Sequence, residues 1–465
     1  MPVNNTAHLL EFREEDVRYA MQSLLIGKSC ALIGVGGIGK TSLLRQLVST
    51  PVRQHYLNGD HHHFIFLPID AHEVAKPSSL AYYRLMASLL EPVLERNGQL
   101  LPIRNPLSMT NEELARQALF DRVDALVSTN EHLILVFFFD EFDVAFTEVE
   151  PHFFRVLLAL RNRAQGRICY VIASNNMPAL ICDGRSRKVV REMFVELFNG
   201  NVRGIKPFEG RDAQTMLEQD LAQKDQVSPE LQRLALEITG AHPGLLKSTL
   251  DALSEGSIEA EEQDIPEQII EKLLYDMPVV SRCEQLWNSL SEIEQYCLKY
   301  VRKSMLTKSA IGQHYPVQQI NDAIQILQLK GILLEVQRNK LYRCFSALLA
   351  SYIVQRYTSL TPGLQIDFSR RQVWVDGVLQ PGHLTPKEFK LLRYLATHAN
   401  EVCSREEITR AVYDQEYTSK RDDARLDAVV ERARRCIGDD PREPRFLETV
   451  RAMGHRLNEY LGERA

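Results

Sequence analysis

Short, uninterrupted apolar runs stand out along the first half of the chain: Cys30 to Ile33, Phe64 to Ile69, Leu133 to Phe139 and Ile168 to Ala173. Runs of this length bounded by turn residues read as strands buried on both faces of a parallel sheet. Val202 to Ile205 reads as a last strand. Helical spacing fills the intervals. Residues 9 to 27 are amphipathic, Leu43, Leu44, Leu47 and Val48 share a helix face, and Leu80 to Leu94 carries Tyr82, Leu85, Leu89 and Val93. Asp212 to Leu253 is helical with an interruption at Thr239 to Leu246, and the acidic stretch Ser254 to Asp264 has no apolar period, which marks a linker.

The second half changes character. One helix holding Leu286, Leu290, Ile293 and Leu298 is predicted first, then a short one near Ser309 to Gln313. A third, from Val317 to Lys330, carries Ile320, Ile324 and Leu327 and is closed by Gly331, with a hairpin of Ile332–Val336 and Leu341–Tyr342 after it. That is the order of a winged helix. From Leu364 to Phe368 and from Gln372 to Val375 apolar and polar residues alternate, with a turn at Asp376-Gly377. A helix then starts at Thr385-Pro386-Lys387-Glu388, where an N-cap threonine, a proline at the first position and a glutamate at the third are the expected start signals. In Arg425 to Ile437, Leu426, Val429 or Val430, Ala433 and Ile437 form the buried stripe.

The chemistry begins where the first strand ends. Gly34-Val35-Gly36-Gly37-Ile38-Gly39-Lys40-Thr41 fills the pattern GxxxxGK[ST] between an apolar strand and an amphipathic helix. Gly34, Gly36, Gly37 and Gly39 let backbone N–H groups turn inward around a β-phosphate, and the helix N-terminus, with Ser42 in its first turn, adds partial positive charge. Lys40 is placed to reach the β- and γ-phosphates, and the Thr41 hydroxyl to ligate Mg²⁺. Asp140-Glu141 closes the run His132 to Phe139, at the sheet edge that faces a ligand crevice. There Asp140 would hold the metal and Glu141 would polarise an attacking water. At the end of the next strand stands Ser174 or Asn175, of which we favour Asn175; resemblance to AAA-type ATPases implies a γ-phosphate contact there, and simple turn chemistry before Pro178 is the alternative. Arg185, Arg187 or Arg191 could serve as an arginine finger. The expected cofactors are ATP and Mg²⁺.

Totals narrow the field. The chain has 465 residues, enough for about three domains. A net charge of −6 excludes a uniformly basic coat for nucleic acid without excluding a local basic surface. The eight cysteines include no CxxC pair, which points to reduced thiols and a cytoplasmic protein, and no apolar run is long enough to span a bilayer. His61-His62-His63 reads as a solvated loop, with metal binding as the alternative.

Several of these segments resemble known families. Phe12 followed by Arg13-Glu14-Glu15-Asp16 is similar to the F-x-GRE entry of bacterial signalling ATPases, which usually contacts the base, although the family's glycine is missing. Adjacent Asp140-Glu141 resembles the additional-strand, catalytic-glutamate class of P-loop ATPases. Thr239-Gly240-Ala241-His242-Pro243-Gly244-Leu245-Leu246 resembles the TGGHPxLL segment of STAND ATPases, with Ala241 in place of a glycine; the resemblance implies that His242 and Pro243 touch the nucleotide, and a helix C-cap is the structural alternative. Together these cover roughly residues 8 to 255. Residues 362 to 457 look like the OmpR/PhoB-type winged-helix effector, through LTPKEFKLL, SREEI, Arg425 to Ile437 and TVRAMGHRL. The resemblance implies double-stranded DNA as partner. Arg425, Arg432 and Arg435 would face the major groove and Arg451 the minor groove. Glu431 adds an acid to the reading face, and Ala452 and His455 replace a glycine and a tyrosine. From Thr361 to Ala465 basic and acidic side chains balance at 18 each, so bulk charge cannot supply the affinity.

The expected fold class is therefore an α/β P-loop NTPase of the AAA/STAND type with a helical lid, followed by two winged helices. Expected boundaries are 1–206 for the ATPase core, 207–280 for lid and linker, 281–358 for a relay winged helix and 359–465 for the DNA reader. The expected function is transcription regulation and signal transduction, with slow ATP hydrolysis resetting a switch that exposes or oligomerises the reader as ATP gives way to ADP. The rival from another class is an ATPase of DNA transactions (replication initiation, mobile-element targeting or phage defence) that clamps duplex DNA with little sequence choice. A winged helix used for protein contacts is the alternative for the reader.

Overall fold

The structure, a computed structural model, describes residues 9–69, 76–98, 105–182, 188–221, 227–254, 265–301, 304–308, 311, 315–338, 340–357, 363–375, 378–380, 384–441, 444–450, 453–458 and 460–463. It resolves into two compact units. The first contains Met1–Tyr296, Gln318–Leu334 and Cys344–Leu349; the second contains Cys297–Val317, Glu335–Arg343 and Ala350–Ala465. No described helix is long and apolar enough to cross a membrane.

The four apolar runs and the last strand become a five-stranded parallel sheet: β1 (Cys30–Ile33), β2 (Phe64–Ile69), β3 (Ile134–Phe139), β4 (Ile168–Ser174) and β5 (Val202–Gly204). Their spatial order is β2-β3-β4-β1-β5. Strand β4 lies between the glycine-loop strand and the acidic strand, with Cys30 opposite Val171 and Val171 opposite Phe138. That insertion is the topology of the additional-strand class, and it bears out the expected fold class. β4 is buried at every residue, as a strand covered by helices on both faces must be. Phe137, Phe139, Phe142, Phe146, Phe153 and Tyr170 belong to one buried core cluster with residues of β1, β2, β3 and β4.

The helical pattern holds with three differences. The segment from residue 9 breaks at Phe12-Arg13, where Arg13 takes φ 51, before the helix Glu14–Leu25. The helix expected to carry Leu286 through Leu298 is two, Met277–Asn288 and Glu292–Leu298. Ser291 and Glu294 split it: the Glu294 carboxylate accepts from the Ser291 amide at 2.9 Å and hydroxyl at 2.8 Å, a serine-to-glutamate capping arrangement at a new helix start. Thirdly, Glu112–Thr129 forms a long helix that the apolar spacing did not isolate. The lid is as expected: Gly210–Leu221, Pro229–Thr239 and Pro243–Ser254. The helix Val317–Leu329 ends at Gly331, and β7 (Leu333–Gln337) with β8 (Leu341–Cys344) forms the hairpin. β6 (Met305–Thr307) pairs antiparallel with β8.

In the second unit the C-terminal segment has its own core. β9 (Leu364–Asp367), β10 (Gln372–Val375), β11 (Val378–Leu379) and β15 (Tyr460–Glu463) form one sheet; β12 (Cys403–Ser404), β13 (Leu447–Val450) and β14 (Gly454–Leu457) form another. Between them lie the helices Pro386–Thr397, Arg405–Tyr413 and Ser419–Ile437, whose inner faces supply Leu391, Leu392, Leu395, Ile408, Leu426, Val429, Val430, Ala433 and Ile437 to one cluster. The last helix begins two turns earlier than its apolar stripe suggests, because its first turns are polar.

Candidate nucleotide site and candidate DNA reader

The glycine loop leaves β1 and enters the helix Lys40–Val48, whose first residue is the lysine itself. Gly37 has φ 74, and a Cβ there would lie 3.2 Å from the His242 ring, so both the conformation and the close approach require glycine. Gly34 and Gly39 complete the turn, and Thr41 and Ser42 are exposed in the first helical turn.

Lys40 is brought together with Asn175. Its ammonium donates to the Asn175 side-chain oxygen at 2.7 Å and to the carbonyls of Gly34 at 2.8 Å and Val35 at 3.1 Å. Burial lowers its pKa to about 8, against the pull of the carboxylates of Asp143, Asp140 and Glu141. Ser174, the other candidate on β4, is fully buried and donates to the Asn176 carbonyl. Asp140 is half-buried at the end of β3 and accepts from the Glu141 amide at 2.9 Å; Glu141 is exposed with φ 49. Both carboxylates thus stand at the same sheet edge as the loop.

The lid closes over the loop through His242. Its Nδ1 accepts the Leu245 amide at 3.3 Å, which leaves the proton on Nε2, donated to the Gly36 carbonyl at 3.1 Å. Burial depresses its pKa to about 3, so the ring is neutral. Ala241 has φ 54, the conformation a glycine would take there, and Pro243 starts the following helix.

Several residues at this site were not assigned from the sequence. Asp143, two residues beyond Glu141, accepts the amides of Asn175 at 2.6 Å and Asn176 at 2.8 Å and so holds the turn after β4. Arg13, known only as part of the entry segment, is buried and donates to the Ile38 carbonyl at 2.7 Å, with its guanidinium 4.4 Å from the Phe208 ring centre. Burial lowers its pKa while Asp16 opposes that shift. Ser289 accepts the Gly36 amide at 2.8 Å. Nothing local in the sequence marks Ser289, because its partner lies far along the chain. Arg191 bonds the Cys182 carbonyl, and Arg185 and Arg187 lie outside the described residues.

In the second unit the helix Ser419–Ile437 presents its arginines already paired. Arg425 lies over the Tyr413 ring at 4.6 Å and 3.4 Å from Asp422; Arg432 donates to buried Glu388 at 2.9 Å; Arg435 stands 3.5 Å from Glu431. Arg434, which the sequence reading left out, is the buried anchor of the hairpin, donating to the Leu447 carbonyl at 2.8 Å and to the Thr449 hydroxyl at 2.8 Å. Arg451 and Ala452 lie outside the described residues. His455 is buried beside Thr449, and burial lowers its pKa to about 4.

Residues 380–457 match the family model described as transcriptional regulatory protein, C terminal. This part of the chain is an OmpR/PhoB-type winged-helix domain. Protein PetR of Rhodobacter capsulatus is 38% identical over 105 residues, which are 22% of this chain and 43% of that protein. The chain spans less than half the length of the curated relatives it matches. Among solved structures, the Walker-type ATPase PABY2304 of Pyrococcus abyssi is similar over 73% of this chain and 95% of its own, at 15% identity and a TM-score of 0.46. The RstA DNA-binding domain of Klebsiella pneumoniae, solved with the RstA box, is similar over 22% of this chain and 95% of its own, at 29% identity and a TM-score of 0.20.

Proposed function

We propose that the chain is an ATP-binding transcription regulator in which the nucleotide state of the P-loop module governs DNA binding by the C-terminal domain. The observation that carries the nucleotide half is the meeting of Lys40 with Asn175 at one sheet edge, beside Asp140 and Glu141. Backbone N–H groups of the glycine loop would take the β-phosphate, and Lys40 and Asn175 the γ-phosphate. Thr41 and Asp140 are hard oxygen donors at the same edge, a set that fits Mg²⁺, which supplies charge neutralisation for phosphoryl transfer when bound. Glu141, exposed beside them, is placed to orient a water, and His242 and Pro243 bring the lid to the loop. Slow hydrolysis to ADP would then reset the state, and a nucleotide-dependent homo-oligomer fits the same scheme.

The DNA half rests on the family match at residues 380–457. Arg425, Arg432, Arg435 and Arg451 are the side chains we assign to duplex contacts. The pairing of the first three with carboxylates favours a regulator over a clamp that holds DNA by bulk charge, since little unbalanced charge faces outward. Competition by random duplex DNA tests this choice: a specific complex barely responds to it, and a clamp is displaced.

A further inference from the structure

Behind the turn that carries Asn175 lies a buried cation with no part in the scheme above. Lys330, which follows the helix Val317–Leu329, is fully buried, and its ammonium donates to Glu294 at 2.6 Å and to the Asn176 side-chain oxygen at 3.0 Å. Glu294 is equally buried, and its second oxygen is taken by Ser291. The other end of the Asn176 amide donates to the Ser289 carbonyl at 3.0 Å, while the Ser289 hydroxyl accepts the Gly36 amide. Neighbouring asparagines therefore face opposite ways: Asn175 holds Lys40, and Asn176 is held by Lys330 and Ser289.

A buried lysine is costly unless it is paired and hydrogen-bonded, and this pair spends one of its bonds on a turn of the phosphate site. Lys330 also stands close enough to Lys40 to disfavour its charge. A γ-phosphate arriving at Lys40 competes with Asn175 for the ammonium, and any shift of Asn175 moves the amide of Asn176. Diphosphate, seated in the N–H groups of the glycine loop, reaches Lys40 only through its β-phosphate and so makes a smaller demand on the turn.

We propose that Lys330 is the positioning residue that makes the site discriminate a nucleoside triphosphate from a diphosphate, acting through Asn176 on Asn175, with Glu294 holding Lys330 and the Ser289 carbonyl holding Asn176. This rests on the assignment of the glycine loop as an ATP site. By this path Ser289, Glu294 and Lys330 feel the γ-phosphate.

The test uses the full chain with Glu141→Gln to prevent turnover, and calorimetric affinities for Mg-ATP and Mg-ADP. Lys330→Met combined with Glu294→Gln removes both charges together, so no buried ion is left unpaired. The account expects the ratio of ATP to ADP affinity to fall at least about fivefold, the lower end of ordinary coupling between sites, with ADP affinity nearly unchanged. Lys330→Arg with Glu294 intact should recover part of the ratio. An unchanged ratio in a folded double variant overturns the proposal while leaving the ATP site standing. Failure of the parent chain to bind either nucleotide overturns the ATP site itself. Should the double variant not fold, Asn176→Ala, which leaves Lys330 paired with Glu294 and removes only the link to the turn, carries the same comparison: an unchanged ratio there overturns the proposal, and a lowered one supports it.

Discussion

His242 gives its Nε2 proton to the Gly36 carbonyl at 3.1 Å, joining lid and phosphate loop through one neutral imidazole. Because its pKa is depressed from 6.5 to about 3, the folded protein binds fewer protons than the unfolded chain between those values. Stability from His242 is thus fully present above pH ~6.5 and is lost as pH falls toward ~3, at up to roughly 1.4 kcal/mol per pH unit. His455 adds the same dependence down to about 4. We expect His242→Gln to flatten the acid limb of a denaturation midpoint measured across this range.

Lys40 has the opposite charge bookkeeping. Phosphate binds its protonated form, and burial has lowered its pKa to about 8. ATP affinity should therefore decline as pH rises through about 8, whereas an ordinary lysine would hold its charge to about 10. Lys40→Ala should abolish Mg-ATP binding and its pH dependence together, and Glu141→Gln should bind ATP and leave it unhydrolysed. Calorimetry across pH, with a phosphate-release assay, checks all three.

In the C-terminal domain, Gly454 has φ 148, and a Cβ added there would lie 1.9 Å from the Cys403 carbonyl oxygen. Gly454→Ala should cost on the order of 2 kcal/mol or more, since backbone must move to admit it. Chemical denaturation of a 361–465 fragment measures this.

The same fragment should bind duplex DNA with affinity that falls as salt rises, because phosphate contacts release counterions. Arg451→Ala should weaken binding across most sequences. Arg432→Ala should also relax base preference, by about 1–3 kcal/mol for a true base contact. Its Nε is held by Glu388, which also caps the helix start through the Thr385 amide, so Glu388→Gln should loosen Arg432 and shift base preference in the same direction by a smaller amount. A panel of single-base operator variants at fixed salt reads both effects.

What could be read from the sequence was local. The loop glycines, Lys40 and the Asp140-Glu141 strand end announce themselves within a few residues, and so do the buried stripe and capping signals of the C-terminal helices. The placing of β4 between β1 and β3 was implied only by the resemblance to the additional-strand class, since no residue spacing in the sequence fixes which strands are neighbours. Ser289, Lys330 and Asp143 were missed for a common reason: each acts through a partner brought close by the fold. Lys330 reads as a surface lysine at a helix end, and only its burial against Glu294 and Asn176 shows otherwise. The break at Ser289–Ser291 was legible, since Ser291 and Glu294 have capping-box spacing. The apolar period through Leu286, Leu290 and Ile293 masked it.

The central claim is that nucleotide and DNA binding are linked, and linkage is reciprocal. The most direct measurement is a DNA titration of the full chain carrying Glu141→Gln at fixed salt, once with ATP and once with ADP, with light scattering to follow assembly. The account predicts that DNA affinity differs between the two states by about 5- to 150-fold, the range of roughly 1–3 kcal/mol of coupling. The 361–465 fragment should ignore nucleotide, and His242→Ala should shrink the difference. Equal affinity and equal assembly in both states would contradict it, and would leave an ATPase and a DNA reader that share a chain without sharing a function.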